Sequence, residues 1–139
     1  MAPPPGYEGV HPGSMIGFGR SVGPLYINRK RCRLAFRVGP EHVNPIGFCH
    51  GGALATFADS QVAAIRDRAF DGTAHSPTIS LTIDYLASVP LGALVEMEVT
   101  LVRRTRTMLF TQALLMVDGE NVARSNAIYR CYESPGGDA

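Results

Sequence analysis

A carboxylate inside an apolar helical pattern is costly unless water or a partner reaches it, and Asp59 stands directly after Ala53-Leu54-Ala55-Thr56-Phe57-Ala58. Held at a cleft, such a group suits a general base or a nucleophile; a helix aspartate facing a solvent gap or an arginine would give the same pattern. Upstream, Asn44-Pro45-Ile46-Gly47-Phe48-Cys49 leads into His50-Gly51-Gly52, where the helix begins. N–H groups at a helix start lack helical partners and lie at the positive end of its dipole. At Gly51 they can stabilise the oxyanion that forms when a carbonyl is attacked, an effect of roughly 3 to 4 kcal/mol. Glycine also lets a bulky substrate approach the backbone. The plainer alternatives are a tight turn for the two glycines and a capping role for His50.

Geometry constrains how these groups cooperate. At a rise of 1.5 Å per residue, Gly51 and Asp59 on one helix stand roughly 12 Å apart, too far to grip one carbonyl carbon. If both serve one site, Asp59 works with the Gly51 turn of a second chain, which predicts a two-fold dimer with two sites across its interface. Thr78, opening the next strand pattern, can hydrogen-bond either an attacking water or Asp59; Ser80 and Thr82 are weaker candidates. Arg103, Arg104 and Arg106 cluster in a turn, where they suit phosphate groups or are simply solvated charges.

Other motifs carry less. Cys32, Cys49 and Cys131 form an odd set with no C-x-x-C spacing, which argues against both a disulfide framework and a zinc site, so they are expected to be reduced thiols. Cys49 beside His50 resembles a nucleophile pair, but adjacent residues rarely aim their side chains at each other. Gly17-Phe18-Gly19-Arg20-Ser21-Val22-Gly23 misses the G-x-G-x-x-G spacing and has no βαβ pattern around it, which disfavours a nucleotide-binding module.

The elements that must hold these residues follow from periodicity. Leu25 to Val38 alternates as a strand, with Leu34, Phe36 and Val38 on one face and Arg33, Ala35 and Arg37 on the other. Gly39-Pro40 ends it, and Glu41 to Cys49 is a loop. Gly51 to Phe70 reads as one long buried helix, closed by Asp71-Gly72. Four strands follow: Thr78 to Leu86, Val95 to Val102, Met108 to Val117 and, after the Asp118-Gly119 turn, Asn121 to Tyr132. In the first of these Ile79, Leu81, Ile83 and Tyr85 are expected on one face, and Thr78, Ser80, Thr82 and Asp84 on the other. One strand, a helix and four strands lack the crossover helices of a parallel sheet, so the expected class is α+β: one curved antiparallel sheet around the helix. A ferredoxin-like sandwich would need a second helix.

Length and charge bound the rest. The 139 residues, 45% of them hydrophobic, suffice for one core and are expected to form one domain over 14–133, with a flexible arm over 1–13 and a flexible tail over 134–139. The formal net charge of +1 gives no reason to expect nucleic acid or a membrane surface as a partner. The start lacks the features of a secretory leader and no apolar run could span a bilayer, so a cytoplasmic protein is expected.

The combination of N-P-x-G-x-x-H-G-G at Asn44 to Gly52, a helix with an aspartate nine residues after the histidine, and strands beyond it resembles the hotdog-fold acyl-CoA thioesterases. It looks most like the phenylacetyl-CoA (PaaI-type) and thioesterase-superfamily-member groups, over roughly Arg33 to Tyr132. The resemblance implies a hotdog fold and hydrolysis of acyl-CoA to free acid and CoA, with no cofactor. It gives the Gly51 N–H, with Gly52 beside it, the thioester carbonyl; Asn44 and His50 the orientation of carbonyl and loop; and Asp59 of the opposite subunit the activation of water or direct attack. Thr78 matches the family's small hydroxyl residue when Tyr85 is aligned with the family's aromatic. Arg103, Arg104 and Arg106 match basic residues that meet the phosphates of CoA. The expected assembly is a homodimer, with pairing into a tetramer left open. A non-catalytic acyl-CoA-binding or regulatory hotdog protein is the alternative, favoured if Asp59 is buried and paired.

Overall fold

The computed structural model describes residues 2–10, 17–70 and 76–132. Its elements run β1 (Glu8–Gly9), β2 (Tyr26–Asn28), β3 (Arg33–Arg37), α1 (Gly51–Ala58), α2 (Gln61–Ala69), β4 (Thr78–Tyr85), β5 (Leu94–Arg104), β6 (Met108–Val117) and β7 (Glu120–Arg130). They form one seven-stranded antiparallel sheet in the order β1-β2-β3-β5-β6-β7-β4. Both helices pack on it. This is the α+β hotdog arrangement that the resemblance implies. The stop expected at Asp71-Gly72, and the tail over 134–139, lie outside the described residues.

The apolar alternation explains the core. Leu34 and Phe36 of β3, Met97 of β5, and Leu109 and Leu115 of β6 are fully buried, as are Phe57 of α1 and Ile65 of α2. The Phe36 and Phe57 rings meet at 4.6 Å between centroids. Each such side chain contributes about 1.5–3 kcal/mol by leaving water.

Three expectations need correction. The strand expected over Leu25 to Val38 is a hairpin of β2 and β3, turning through residues 29–32, with Cys32 at φ 54°. Part of the expected flexible arm is held to the sheet. Glu8 pairs with Ile27, Arg29 meets Glu8 at 3.1 Å, and the Tyr7 hydroxyl donates to Glu96 at 2.7 Å. These side-chain anchors supply what a two-residue strand lacks in ladder bonds.

The third correction concerns the helix, which breaks at Asp59-Ser60. Asp59 caps α1 with φ −69° and ψ −4°. Its carbonyl accepts from the buried Tyr129 hydroxyl at 2.9 Å, while the Ala63 N–H that would continue the ladder donates to Ser60 O at 3.0 Å. Aspartate and serine compete with helical hydrogen bonding, so this is where the chain yields. Gln61, fully buried at the start of α2, ties the break to the sheet: its amide donates to Ser125 Oγ at 3.0 Å and accepts from Thr111 Oγ1 at 2.7 Å. Ser125 in turn donates to Thr82 O at 2.8 Å.

Candidate active site

Asn44 builds the loop before the helix. Its Oδ1 accepts from the N–H groups of Ile46 and Phe48, each at 3.1 Å, while Gly47 takes φ +90°. Val43 and Cys49 pair across the loop, and the His50 N–H donates to His42 O at 2.7 Å. The chain is thereby aimed at the helix start.

His50 is the N-cap of α1, with Nδ1 accepting from the Gly52 N–H at 2.8 Å. Its carbonyl takes the N–H groups of Ala53 and Leu54. Among the described residues, the Gly51 N–H is therefore the one donor of this first turn without a partner. The Gly52 N–H is committed, and a Cβ there would stand 2.9 Å from His50 Nδ1, so Gly52 makes room for the cap and has no free donor for substrate. Beside Gly51 opens a cleft of about 400 Å³ whose walls include Ile46, Phe48, Leu54, Tyr85 and Leu86. The Tyr85 hydroxyl donates to Gly51 O at 2.7 Å.

At the other end of α1, Asp59 Oδ1 accepts from Thr78 Oγ1 at 2.8 Å. Asp59 is half-buried, and no cation lies within ion-pair distance among the described residues. Burial raises its pKa above the usual carboxylate value, and the Thr78 hydrogen bond opposes that rise. A carboxylate so placed is a stronger base than an exposed one.

Thr78 reaches Asp59 because β4 is bulged. Thr78 pairs with Tyr129 and Ser80 with Ile128, leaving Ile79 as an extra residue. A bulge shifts side-chain phase by one residue. Thr78 is thus turned toward the helix side that Tyr85 also faces, whereas simple alternation put the two on opposite faces. Asp84, on the other face, pairs with Arg124 at 2.8 Å.

The basic turn divides. The Arg104 guanidinium donates to Ala69 O at 2.8 Å, to Thr105 O and to Arg106 O at 3.4 Å, and lies over the Phe70 ring. It is spent on capping α2 and folding the turn. Arg103 and Arg106 are exposed and make no ion pair among the described residues. The turn lies at the Thr78 end of the sheet, since the Cys131 N–H donates to Thr107 O and the Arg130 N–H to Pro77 O.

Cys49 is buried with its thiol donating to His50 O at 3.7 Å, and burial pushes its pKa up to about 11. It is a poor nucleophile at neutral pH. Gly17–Ser21 forms a 3-10 turn followed by the short β2, without the strand-loop-helix order of a dinucleotide site.

Sequence reasoning missed Tyr129 and Gln61. Tyr129 sits on the apolar face of β7, where nothing in the periodicity distinguishes a core tyrosine from one that reaches a helix carbonyl. Gln61 did leave a trace, as an amide in an apolar wheel.

Residues 46–123, more than half the chain, match the family model of the thioesterase superfamily. Acyl-coenzyme A thioesterase THEM4 of Xenopus laevis is 36% identical over 73 residues, covering 51% of this chain and 32% of that protein. The chain thus matches about a third of the length of that curated relative. A hypothetical thioesterase of Streptococcus pneumoniae, solved with coenzyme A, superposes with a TM-score of 0.66 at 20% identity, over 73% of this chain and 78% of that one. The phenylacetic acid degradation protein PaaI of Thermus thermophilus, solved as a point mutant, gives 0.63 at 24% identity, over 90% and 92%. The solved structures agree with the hotdog fold, and the family match adds lineage: the chain belongs to the thioesterase superfamily.

Proposed function

We propose that the chain hydrolyses acyl-CoA thioesters to free acid and CoA at sites shared by two copies. One observation carries this reading. The two ends of α1 hold complementary halves of an acyl-transfer site: a Gly51 N–H with no partner among the described residues, beside an uncharged cleft, and an Asp59 carboxylate held by Thr78 with no cation in ion-pair reach among those residues. In the reaction the thioester oxygen accepts from the Gly51 N–H of one copy. Asp59 of the other takes a proton from water as the water oxygen bonds to the carbonyl carbon. The tetrahedral intermediate collapses, the C–S bond breaks, and the proton passes to the departing sulfur. In the nucleophilic route Asp59 attacks the carbon itself, the C–S bond breaks as CoA leaves as thiolate, and water then cleaves the mixed anhydride to free acid and carboxylate. Asn44 and His50 act indirectly, by shaping the loop and leaving Gly51 as the free donor.

The dimer reading rests on β4. This strand is an edge, and Ile79 and Tyr85 on it, with Leu86 just after it, are each about half exposed. It runs antiparallel to α1, with Thr78 beside Asp59 and Tyr85 beside Gly51. Two copies related by a two-fold axis at this edge would bring the Tyr85 end of each to the Thr78 end of the other, uniting Gly51 with the opposite Asp59. Arg103 and Arg106 are the residues proposed for the phosphates of CoA. The three free, buried cysteines fit the reducing cytoplasm. Among the described residues no helix is long and apolar enough to cross a membrane.

The test is release of CoA thiol from short, medium, long and aryl acyl-CoAs. Turnover of at least one class is expected; none with any class overturns the reading. The non-catalytic alternative is not favoured, because Asp59 has no charged partner among the described residues.

A further inference from the structure

Gly51 is the point where a free N–H and a flexible residue coincide. Glycine gains conformational freedom that a preorganised donor cannot use, so something must fix this first turn. The residue in contact is Tyr85. Its hydroxyl donates to Gly51 O at 2.7 Å, and a Cβ built on Gly51 would lie 3.1 Å from Tyr85 Cζ and 3.2 Å from its hydroxyl. The ring therefore lies directly against the backbone at Gly51.

Tyr85 is 52% exposed as a residue and forms a wall of the cleft of about 400 Å³. The other walls include Ile46, Phe48, Leu54, Leu86 and Val89, and no charged side chain lines it. Beside Tyr85, Asn44 and Ser88 are its polar side chains, and Asn44 Oδ1 is taken up by the Ile46 and Phe48 N–H groups; an uncharged lining in which apolar side chains predominate suits a hydrocarbon or aryl group and does not suit a phosphate. A thioester whose oxygen rests on the Gly51 N–H would have its acyl group against this ring.

We infer that Tyr85 has two separable roles: its hydroxyl positions the Gly51 donor, and its ring is a wall of the acyl cleft that sets which acyl groups fit. This deepens the proposed hydrolase reading and rests on it. The hydroxyl role concerns geometry at the reacting carbonyl and belongs to kcat; the ring role concerns pocket shape and belongs to the ratio of kcat/KM between substrates.

Two substitutions separate the roles. Tyr85→Phe keeps the ring and deletes the hydrogen bond, which at about 1 kcal/mol corresponds to roughly a fivefold fall in kcat. Its KM values and its profile over a series from acetyl-CoA to palmitoyl-CoA, with benzoyl-CoA added, should match those of the wild type. Tyr85→Leu removes the hydroxyl and shortens the wall. It should show the same fall in kcat and, in addition, a shift of at least about tenfold in relative kcat/KM toward longer or bulkier acyl groups. Circular dichroism and the elution volume of each variant establish that fold and assembly persist; if Tyr85→Leu does not fold, Tyr85→Met serves as the unbranched replacement.

Wild-type kcat in Tyr85→Phe overturns the positioning role. A Tyr85→Leu profile superimposable on that of the wild type overturns the wall. A merely structural tyrosine would lower activity equally toward every substrate in both variants, with a matching loss of thermal stability. An inactive wild-type protein would instead sink the hydrolase reading and this inference with it, whereas an active enzyme indifferent to both substitutions sinks only the inference.

Discussion

Replacing Asp59 by asparagine separates chemistry from stability, because the two should move in opposite directions. The amide has nearly the shape of the carboxylate and keeps an oxygen to accept the Thr78 hydroxyl, now at 2.8 Å, so the local packing is preserved. What is lost is the capacity to accept a proton or to attack. A positioned general base contributes about 10²–10⁴ in rate, or roughly 3–5.5 kcal/mol at 1.36 kcal/mol per tenfold. The kcat/KM of Asp59→Asn should fall by about that factor.

Stability should rise. Burial holds the folded Asp59 pKa above its unfolded value, and the Thr78 bond offsets only part of this. The folded state then binds the proton more tightly than the unfolded state, so stability is lost as pH climbs from the unfolded pKa through the folded one. At neutral pH the ionised carboxylate carries the whole penalty, which the neutral amide removes. Thiol release and thermal denaturation read the two effects. Tm should exceed that of the wild type at neutral pH, and the difference should vanish below the unfolded carboxylate range. Activity within about tenfold of the wild type, or a lower Tm at neutral pH in correctly assembled protein, would refute the reasoning.

Thr78→Val removes the bond that lowers the Asp59 pKa, so the acid limb of the kcat/KM profile should move to higher pH while Thr78→Ser leaves it in place; coincident limbs in all three proteins would contradict this. Mixing Asp59→Ala chains with Gly51→Pro chains should restore about a quarter of wild-type activity, since about half the dimers are mixed and each carries one intact site. Proline suits the backbone of the first helical position and deletes the N–H in question, although its Cβ must shift the Tyr85 ring of the same chain; the mixed dimer's intact site uses the other chain's Gly51, so confirmed mixing without recovery counts against a shared site. Gln61→Leu strands the Thr111 hydroxyl and removes the donor to Ser125 Oγ, which keeps its own bond to Thr82 O, and should cost about 1–3 kcal/mol in denaturant unfolding; an unchanged midpoint would show that the buried network is not structural. Arg103→Ala with Arg106→Ala should raise KM severalfold for acyl-CoA and leave it unchanged for the matching acyl-pantetheine, and equal effects on both would exclude phosphate contact.

Much of this protein was legible because burial imposes period. The alternation in β5, β6 and β7 and the apolar stretch after Gly51 give the sheet and the helical segment, and Asp59 stands out since a carboxylate among Ala58, Phe57 and Leu54 contradicts that pattern. The Gly51 donor was readable too, from its place at a helix start. Less of the site's wiring was. Arg104 looks like its neighbours in sequence, and only the approach of the α2 C-terminus gives its guanidinium the Ala69 carbonyl as a partner. Gly52 looks equivalent to Gly51 until the His50 ring takes its N–H.

By itself the sequence determined which residue types face the core, where the helix starts, and that one helix cannot bring Gly51 and Asp59 together, because side-chain period and helical rise are local properties. The tertiary structure decided what depends on a second segment. The helix stops at Asp59 where Tyr129 from β7 occupies its carbonyl. Thr78 meets Asp59 only because the β4–β7 register holds a bulge at Ile79, and a bulge is a property of two strands together. Tyr85 meets Gly51 only because β4 runs back along α1. These contacts are non-local, so no window of one chain segment encodes them.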